Sequence, residues 1–298
     1  MFQSVNTAQN SNIEIGLSSI KEAMSGKTFE TWRKYIYANC GIYFQDNKKY
    51  LLESRLQKRI NYLGLSSFEE YYSFVNDAAK GYHEKKYLYE AITINETFFF
   101  RNQPQFDALI NNIFPDIIQR KNIIRQKKIR IWSAASSSGE EAYTIAMLIK
   151  DIVKLKNPDM EFEIIGTDIN NAVVETAKRG IYKEYSIRQT PPYYLKKYFK
   201  RVDNTFQLSP DITSMVNFKV MNLYDDFAMK TMFNFDLIMC ANVLIYFDAE
   251  SKVKVVSQLY DAMNPNSYLF IGYSETLHGI SKAFKLISFP KTIGYKKE

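Results

Sequence analysis

The sequence contains little cysteine and histidine and lacks a long apolar run. Its two cysteines, Cys40 and Cys240, both lie in apolar stretches, so they exclude a disulfide framework and favour a reducing compartment, the cytoplasm. Its two histidines, His83 and His278, are far apart in sequence, and we therefore expect no metal site. Because no apolar run could cross a bilayer and no signal pattern opens the chain, we expect no insertion into a membrane.

The composition is that of a folded, basic protein. With 46% hydrophobic and 15% aromatic residues, the 298-residue chain can bury a sizeable core, and it is long enough for two domains. Its formal net charge of +7 favours an acidic partner: nucleic acid, an anionic membrane surface or a protein segment rich in glutamate. Charge alone does not distinguish these partners.

Changes of pattern along the chain predict two domains after a polar start. Residues 1–27 are rich in serine and asparagine and are expected to form a flexible lead-in. Residues 28–94 carry apolar residues at helical spacing, which predicts a small helical domain. Residues 95–298 alternate strands and helices, which predicts an α/β fold with a parallel sheet. A hairpin signal at Asp203-Asn204 indicates a small antiparallel subdomain inserted at residues 181–214.

The stretch Ile129–Tyr143 has the pattern of an α/β ligand site. A short β-branched strand leads through small residues, Ser133 to Gly139, into a helix whose N-terminus offers free N–H groups. The turn lacks the lysine of a phosphate loop and has too few glycines for a dinucleotide loop. Glu140 and Glu141 would repel a pyrophosphate and fit a ligand with a cationic end, such as S-adenosylmethionine. The alternative is a capped helix that binds nothing.

Asp168 follows the next predicted strand, Glu161–Thr167. Ligands of open parallel sheets bind outside the carboxyl ends of the strands, where this carboxylate could accept both hydroxyls of a ribose. The alternative is that Asp168 only caps the helix Asn171–Arg179.

The join between the two predicted domains is unusually aromatic. Residues Phe98 to Phe100 are flanked by Asn95 and Arg101, and domain junctions are favoured ligand sites. Asn95 and Arg101 would then face the ligand. The alternative is that the aromatic residues only fill the interface.

The second predicted helix has a basic side. This side is either a solvated surface of ordinary basic side chains or a docking surface for an acidic partner. Its basic residues are Lys48, Lys49, Arg55, Lys58 and Arg59.

Taken together, these patterns resemble the chemotaxis receptor glutamate O-methyltransferase family over nearly the whole chain. The matching signatures occur in the family's order, and their combination is far more specific than any one of them. They are Asn95-x-Thr97-x-Phe99-Phe100-Arg101, Trp132-Ser133-Ala134-Ala135 with Gly139-Glu140-Glu141, Thr167-Asp168-Ile169, Asn222-Leu223, and Asn242-Val243-x-Ile245-Tyr246-Phe247.

The resemblance implies a class I S-adenosylmethionine-dependent methyltransferase (Rossmann-like) domain with an inserted antiparallel β-subdomain, preceded by a small all-α domain. It implies that Arg101 and Tyr246 lie nearest to the transferred methyl group, with S-adenosylhomocysteine as the product. The basic helix would dock the cytoplasmic helical region of a chemotaxis receptor, and the protein would be a monomer that binds no nucleic acid. The implied cofactor-binding residues are Asn95, Thr97, Arg101, Glu140, Glu141, Asp168, Asn222, Leu223, Asn242 and Val243.

The sequence also departs from the family pattern. Ala142, Ala241 and Tyr273 stand where the family usually has proline, arginine and histidine. In some members a glycine-bearing loop of the β-subdomain binds a receptor tail peptide. The matching hairpin, residues 202–206, has no glycine, so we expect such tethering to be absent or different. A nucleic-acid methyltransferase is a weaker alternative, because no proline follows Asn242, and a non-catalytic cofactor-binding module is another.

Overall fold

The computed structural model describes residues 23–298 and begins with a bundle of helices. Most of the lead-in expected at residues 1–27 lies outside the described residues. Its last part is ordered, because Met24 is buried and the first helix begins at Gly26, after the N-cap Ser25. The bundle consists of α1 (Gly26–Cys40), α2 (Lys49–Leu63), α3 (Phe68–Asn76) and α4 (Lys80–Ile92).

The bundle has its own core, built around Trp32. Its ring lies 5.2 Å from that of Tyr71, and its indole N–H donates to the carbonyl of Phe68 at 3.2 Å. Every fourth residue of α2 from Leu52 to Ile60 is buried against this cluster, as the helical spacing predicts.

The second half of the chain is built on a seven-stranded sheet. The strand order is β6-β2-β1-β7-β8-β10-β9, in which the first five strands are parallel and the last two form an antiparallel edge. This confirms the expected α/β fold. The strands are β1 (Lys128–Ala134), β2 (Glu161–Asp168), β6 (Val216–Val220), β7 (Phe235–Cys240), β8 (Met263–Ile271), β9 (Phe284–Phe289) and β10 (Thr292–Lys297).

Helices cover both faces of the sheet. Successive residues of one strand point to opposite faces, so Ile131 belongs to one buried cluster and Trp132 to the other. None of the helices within residues 23–298 is both long and apolar enough to cross a membrane. The α-helices around the seven-stranded sheet are α5 (Gln103–Ala108), α6 (Phe114–Ile123), α7 (Glu140–Leu148), α8 (Lys154–Lys156), α9 (Asn171–Arg179), α13 (Asp226–Lys230) and α14 (Ala249–Ala262).

A small subdomain is inserted between α9 and β6. Its antiparallel sheet has the order β3-β5-β4, which confirms the expected β-subdomain. The stretch also contains short helices that the sequence did not predict, two of them with a proline in the first turn, where no N–H is needed. The elements are β3 (Ile181–Tyr182), α10 (Glu184–Ile187), α11 (Pro192–Tyr198), β4 (Phe199–Val202), β5 (Thr205–Leu208) and α12 (Pro210–Thr213).

Candidate active site

A cavity of about 1060 Å³, including its open mouth, lies between the helical bundle and the carboxyl edge of the sheet. Its place is where the strand order reverses, with β2 on one side of β1 and β7 on the other. Of the site residues expected from the sequence, it brings together Asn95, Thr97, Arg101, Glu141, Asp168, Asn222, Leu223, Asn242, Val243 and Tyr246.

The turn after β1 forms one wall through an unusual backbone. Ala135, Ser137 and Gly139 all have positive φ, which tightens the chain around the cavity. A side chain at Gly139 would meet the Phe218 ring at 2.7 Å, so glycine is needed there. Within residues 23–298 the buried hydroxyl of Ser136 has no hydrogen-bond partner, although it lies at the cavity wall. This wall therefore presents an unused polar group to a ligand.

Asp168 is deeply buried at the end of β2. Its carboxylate accepts the N–H of Ser137 at 2.8 Å and that of Asn170 at 2.9 Å. Burial raises the pKa of Asp168, and these hydrogen bonds oppose the rise. The N-cap of α9 is Asn170, which accepts the N–H of Val173, so the capping alternative for Asp168 is wrong. Asn170 also donates to the side chain of Asn95 at 2.8 Å, joining Asp168 to the linker.

The two adjacent glutamates face different surroundings. Glu141 lines the cavity and accepts the Ser133 hydroxyl at 2.7 Å. Burial raises the pKa of Glu141 to about 7, although the nearby Arg101 charge acts to lower it. Glu140 is 1% exposed, lies outside the cavity wall and accepts the Ser138 hydroxyl at 2.7 Å. The expected pair is thus divided, and Glu141 alone of the two reaches the cavity.

Arg101 and Tyr246 enter the cavity from different halves of the chain. The guanidinium of Arg101 donates to the carbonyl of Glu96 at 2.6 Å and lies 5.6 Å from the ring centre of Phe98. The side chain of Tyr246 is held by the turn after β7, and burial raises the pKa of its hydroxyl. A cation and a phenol therefore share the cavity with the carboxylate of Glu141.

The helical bundle contributes to the cavity in a way that the sequence did not reveal. The amide of Asn222 donates to the carbonyl of Asn39 at 2.7 Å, which fixes the end of α1 against the sheet domain. Cys40 and Ile42, next along the chain, then line the cavity. Other lining residues not expected from the sequence include Thr93, Asn102, Phe106, Ser136, Met221 and Phe247.

Comparison with known protein families shows to which family the chain belongs. The model "CheR methyltransferase, all-alpha domain" matches residues 27–93, and "CheR methyltransferase, SAM binding domain" matches residues 95–293. The chain belongs to the CheR methyltransferase family. This confirms the family resemblance seen in the sequence, and a CheR-family protein is an S-adenosylmethionine-dependent methyltransferase.

Curated relatives of this CheR-family chain cover almost all of it. A chemotaxis protein methyltransferase 2 of Vibrio cholerae is 36% identical over 90% of this chain and 92% of its own length. A chemotaxis protein methyltransferase of Borreliella burgdorferi is 38% identical over 83% of this chain and 87% of its own. A chemotaxis protein methyltransferase 1 of Pseudomonas aeruginosa is 32% identical over 90% of this chain and 97% of its own length.

The cavity of the CheR-family fold fits S-adenosylmethionine. Asp168 offers a carboxylate at the position that suits ribose hydroxyls, and Glu141 offers one for the cationic end of the cofactor. The hydroxyl of Ser136, which lacks a partner within the described chain, adds a further polar contact. The cavity therefore offers carboxylates that suit the ribose and the cationic end of the ligand.

The basic residues of α2 are not equivalent in the CheR-family bundle. Lys58 and Lys48, which immediately precedes α2, are exposed, and Lys49 is partly exposed. Arg59 instead forms two hydrogen bonds, of 2.5 and 2.8 Å, with the buried carboxylate of Glu84.

Arg55 is also held within the protein. It donates to the carbonyl of Ile92, and burial lowers its pKa while Tyr246 acts to raise it. Arg55 therefore interacts electrostatically with Tyr246 of the cavity wall, and the expected basic side of α2 includes residues with structural contacts.

Proposed function

We propose that this protein transfers the methyl group of S-adenosylmethionine to glutamate side chains of chemotaxis receptors, giving methyl esters and S-adenosylhomocysteine in the cytoplasm. The observation that carries the proposal is one cavity lined by Glu141, Arg101 and Tyr246 together. Glu141 suits the cationic cofactor, whereas Arg101 suits a carboxylate substrate. The names of the chemotaxis methyltransferase relatives support the same substrate class.

The cofactor-binding residues act by position and charge. Asp168 would hold the ribose hydroxyls, and ionised Glu141 would pair with the α-amino group. When bound, S-adenosylmethionine supplies an electrophilic methyl group on a sulfonium. Asn222, Leu223, Asn242 and Val243 close the cavity around the remaining surface.

Arg101 orients the attacking carboxylate. A glutamate side chain has a pKa of about 4.3, so it is ionised near neutral pH and needs no general base. Holding Arg101 in place through the carbonyl of Glu96 limits how tightly it can pair with the substrate. This matters because a very strong ion pair would stabilise the ground state and weaken the nucleophile. Tyr246 packs beside the transferred methyl group and offers a hydroxyl.

The receptor would dock on the helical bundle. Lys48, Lys49 and Lys58 present positive charge at the surface, and Arg55 of the same helical region interacts electrostatically with Tyr246. A helical receptor segment with acidic residues would therefore be attracted to this side of the bundle.

The test is transfer of label from methyl-labelled S-adenosylmethionine to membranes that contain chemotaxis receptors. We expect label on receptor bands, released by mild base as methyl esters are. A variant Arg101→Ala serves as the matched control. Label on nucleic acid, or tight cofactor binding without any transfer, would overturn the proposal.

A further inference from the structure

The turn after β7 is held by a carboxylate from the segment that follows the neighbouring strand β8. Glu275 is 8% exposed, and its Oε2 accepts the N–H of Asn242 at 2.9 Å and that of Gly272 at 2.6 Å. Its Oε1 accepts the N–H of Ile245 at 3.2 Å. The turn bound in this way ends in Tyr246, so one buried carboxylate fixes both ends of a cavity wall.

The turn needs such support because its backbone is strained. Asn242 has a φ of 63°, a left-handed conformation that is uncommon for residues other than glycine. Without Glu275, the N–H groups of Asn242 and Ile245 would lose their acceptor. Unpaired N–H groups in a buried turn favour rearrangement of the backbone.

Gly272 makes room for the carboxylate. A Cβ at position 272 would lie 2.6 Å from Oε2 of Glu275 and 2.8 Å from the nitrogen of Asn242. These distances are too short for any other residue. The Gly272-Tyr273-Ser274-Glu275 segment is therefore shaped to bring its last residue against the turn.

We propose that Glu275 is a positioning residue for methyl transfer. It acts through the backbone of the turn, so that Asn242 and Val243 face the cofactor and Tyr246 faces the transferred methyl group. The part of the proposal that concerns Tyr246 rests on the proposed function; the part that concerns cofactor binding does not.

Asp236 provides a matched control for Glu275, because it is a buried carboxylate on β7, the strand that leads into the turn. It is 3% exposed and accepts the N–H of Arg130 at 2.9 Å and the amide of Asn264 at 2.8 Å, and it pairs with Lys121 at 2.9 Å. It lies about 13 Å along β7 from Cys240, at the end of the strand away from the cavity. Replacing it removes a buried, hydrogen-bonded carboxylate without touching the turn.

The experiment compares Glu275→Gln, Gly272→Ala and Asp236→Asn with the unchanged protein. S-adenosylhomocysteine binding is measured by calorimetry, thermal unfolding by circular dichroism, and methyl transfer at saturating cofactor with a receptor. We expect Glu275→Gln and Gly272→Ala to weaken binding about tenfold and to slow transfer at least as much. Asp236→Asn should lower the unfolding temperature, while its affinity stays within about twofold.

Two results would overturn the proposal. One is a folded Glu275→Gln protein that binds S-adenosylhomocysteine as the unchanged protein does. The other is an equal loss of affinity in Asp236→Asn, which would assign the effect to general stability. If Glu275→Gln does not fold, the proposal is judged by Gly272→Ala, and unchanged binding of S-adenosylhomocysteine by that variant overturns it. Should the unchanged protein bind the product but methylate no receptor, the proposed function fails while the binding comparison still judges Glu275.

Discussion

The main-chain N–H of Tyr43 donates a hydrogen bond of 3.0 Å to the carbonyl of Tyr246. Beside it, Ile42 and Phe247 form an antiparallel bridge. The segment that leaves α1 is thus paired, as a short strand would be, with the turn that carries Tyr246 of the cavity wall. Because Ile42 also lines the cavity, the helical bundle and the sheet domain form the cavity jointly.

Replacing Gly41 should weaken this joint site. Gly41 has a φ of 72°, and a Cβ there would meet the Tyr224 ring at 2.5 Å. Gly41→Ala therefore adds a clash at the domain interface to the left-handed strain of about 1 kcal/mol. We expect lower stability in urea and weaker S-adenosylhomocysteine binding.

Gly64→Ala is the control for that experiment. Gly64 ends α2 with a φ of 68°, but no atom of residues 23–298 outside its immediate neighbours lies within 4 Å of a Cβ built there. It should lose about 1 kcal/mol of unfolding free energy and keep its cofactor affinity. Equal affinities of the two variants would refute a role for the α1 end in the cavity.

Arg101→Ala should lose most methyl transfer while cofactor affinity falls less. The guanidinium is assigned to the orientation of the substrate carboxylate, which affects the reaction step more than cofactor binding. Single-turnover transfer and calorimetric titration separate these quantities. Arg101→Lys keeps the charge but not the bidentate geometry, so we expect only partial recovery. Unchanged turnover in Arg101→Ala would contradict the assignment.

Cofactor binding should depend on the protonation of Glu141. Burial raises the pKa of its carboxyl group to about 7, and a cationic α-amino group would favour the ionised form, so binding releases a proton. The affinity for S-adenosylhomocysteine should be constant above pH 7 and fall by up to about tenfold per unit below it. Titrations between pH 5.5 and about 8.5 cover this window.

Glu141→Gln isolates this dependence. The pKa of Asp168 is also raised by burial, but Asp168 remains in the variant, so the difference between the two pH profiles belongs to Glu141. We expect the glutamine variant to bind weakly with a flatter profile. Adenosine, which lacks the amino group, should bind both proteins alike. A profile that glutamine leaves unchanged would exclude this role.

Two neighbouring basic residues of α2 should behave differently on removal. Arg59→Ala leaves the carboxylate of Glu84, 4% exposed, without its ion pair, so we expect a loss of about 3 kcal/mol in unfolding free energy. Lys58→Ala alters an exposed side chain and should change stability by less than about 0.5 kcal/mol. The lysine variant should instead weaken receptor binding, measured by sedimentation with receptor membranes. Intact receptor binding would remove Lys58 from the docking surface.

Local patterns predicted the fold well because its main elements are regular. The short β-branched run of β1 and the Asp203-Asn204 turn identified elements that the structure contains. The helices α10 to α12 were missed because they have only four to seven residues and little periodicity.

The site was only partly visible in the sequence. Asp168 and Glu141 follow parallel strands, so their convergence could be anticipated. The roles of Glu275 and Cys40 depend on contacts between distant segments, which no local spacing encodes. The internal bonds of Glu140 and Arg59 were not predicted for the same reason, because their partners in space, Ser138 and Glu84, are not revealed by helical spacing.

The division of the cavity wall between two domains limits how the protein can be rearranged. A recombinant protein made of residues 95–298 alone would lose Cys40 and Ile42 from the cavity wall. It would also lose the main-chain hydrogen bond from Tyr43 to Tyr246. Retargeting this methyltransferase to a new substrate by exchanging its front module would therefore also alter cofactor retention. Grafts that preserve residues 39–44 while replacing exposed positions of α2 avoid that loss.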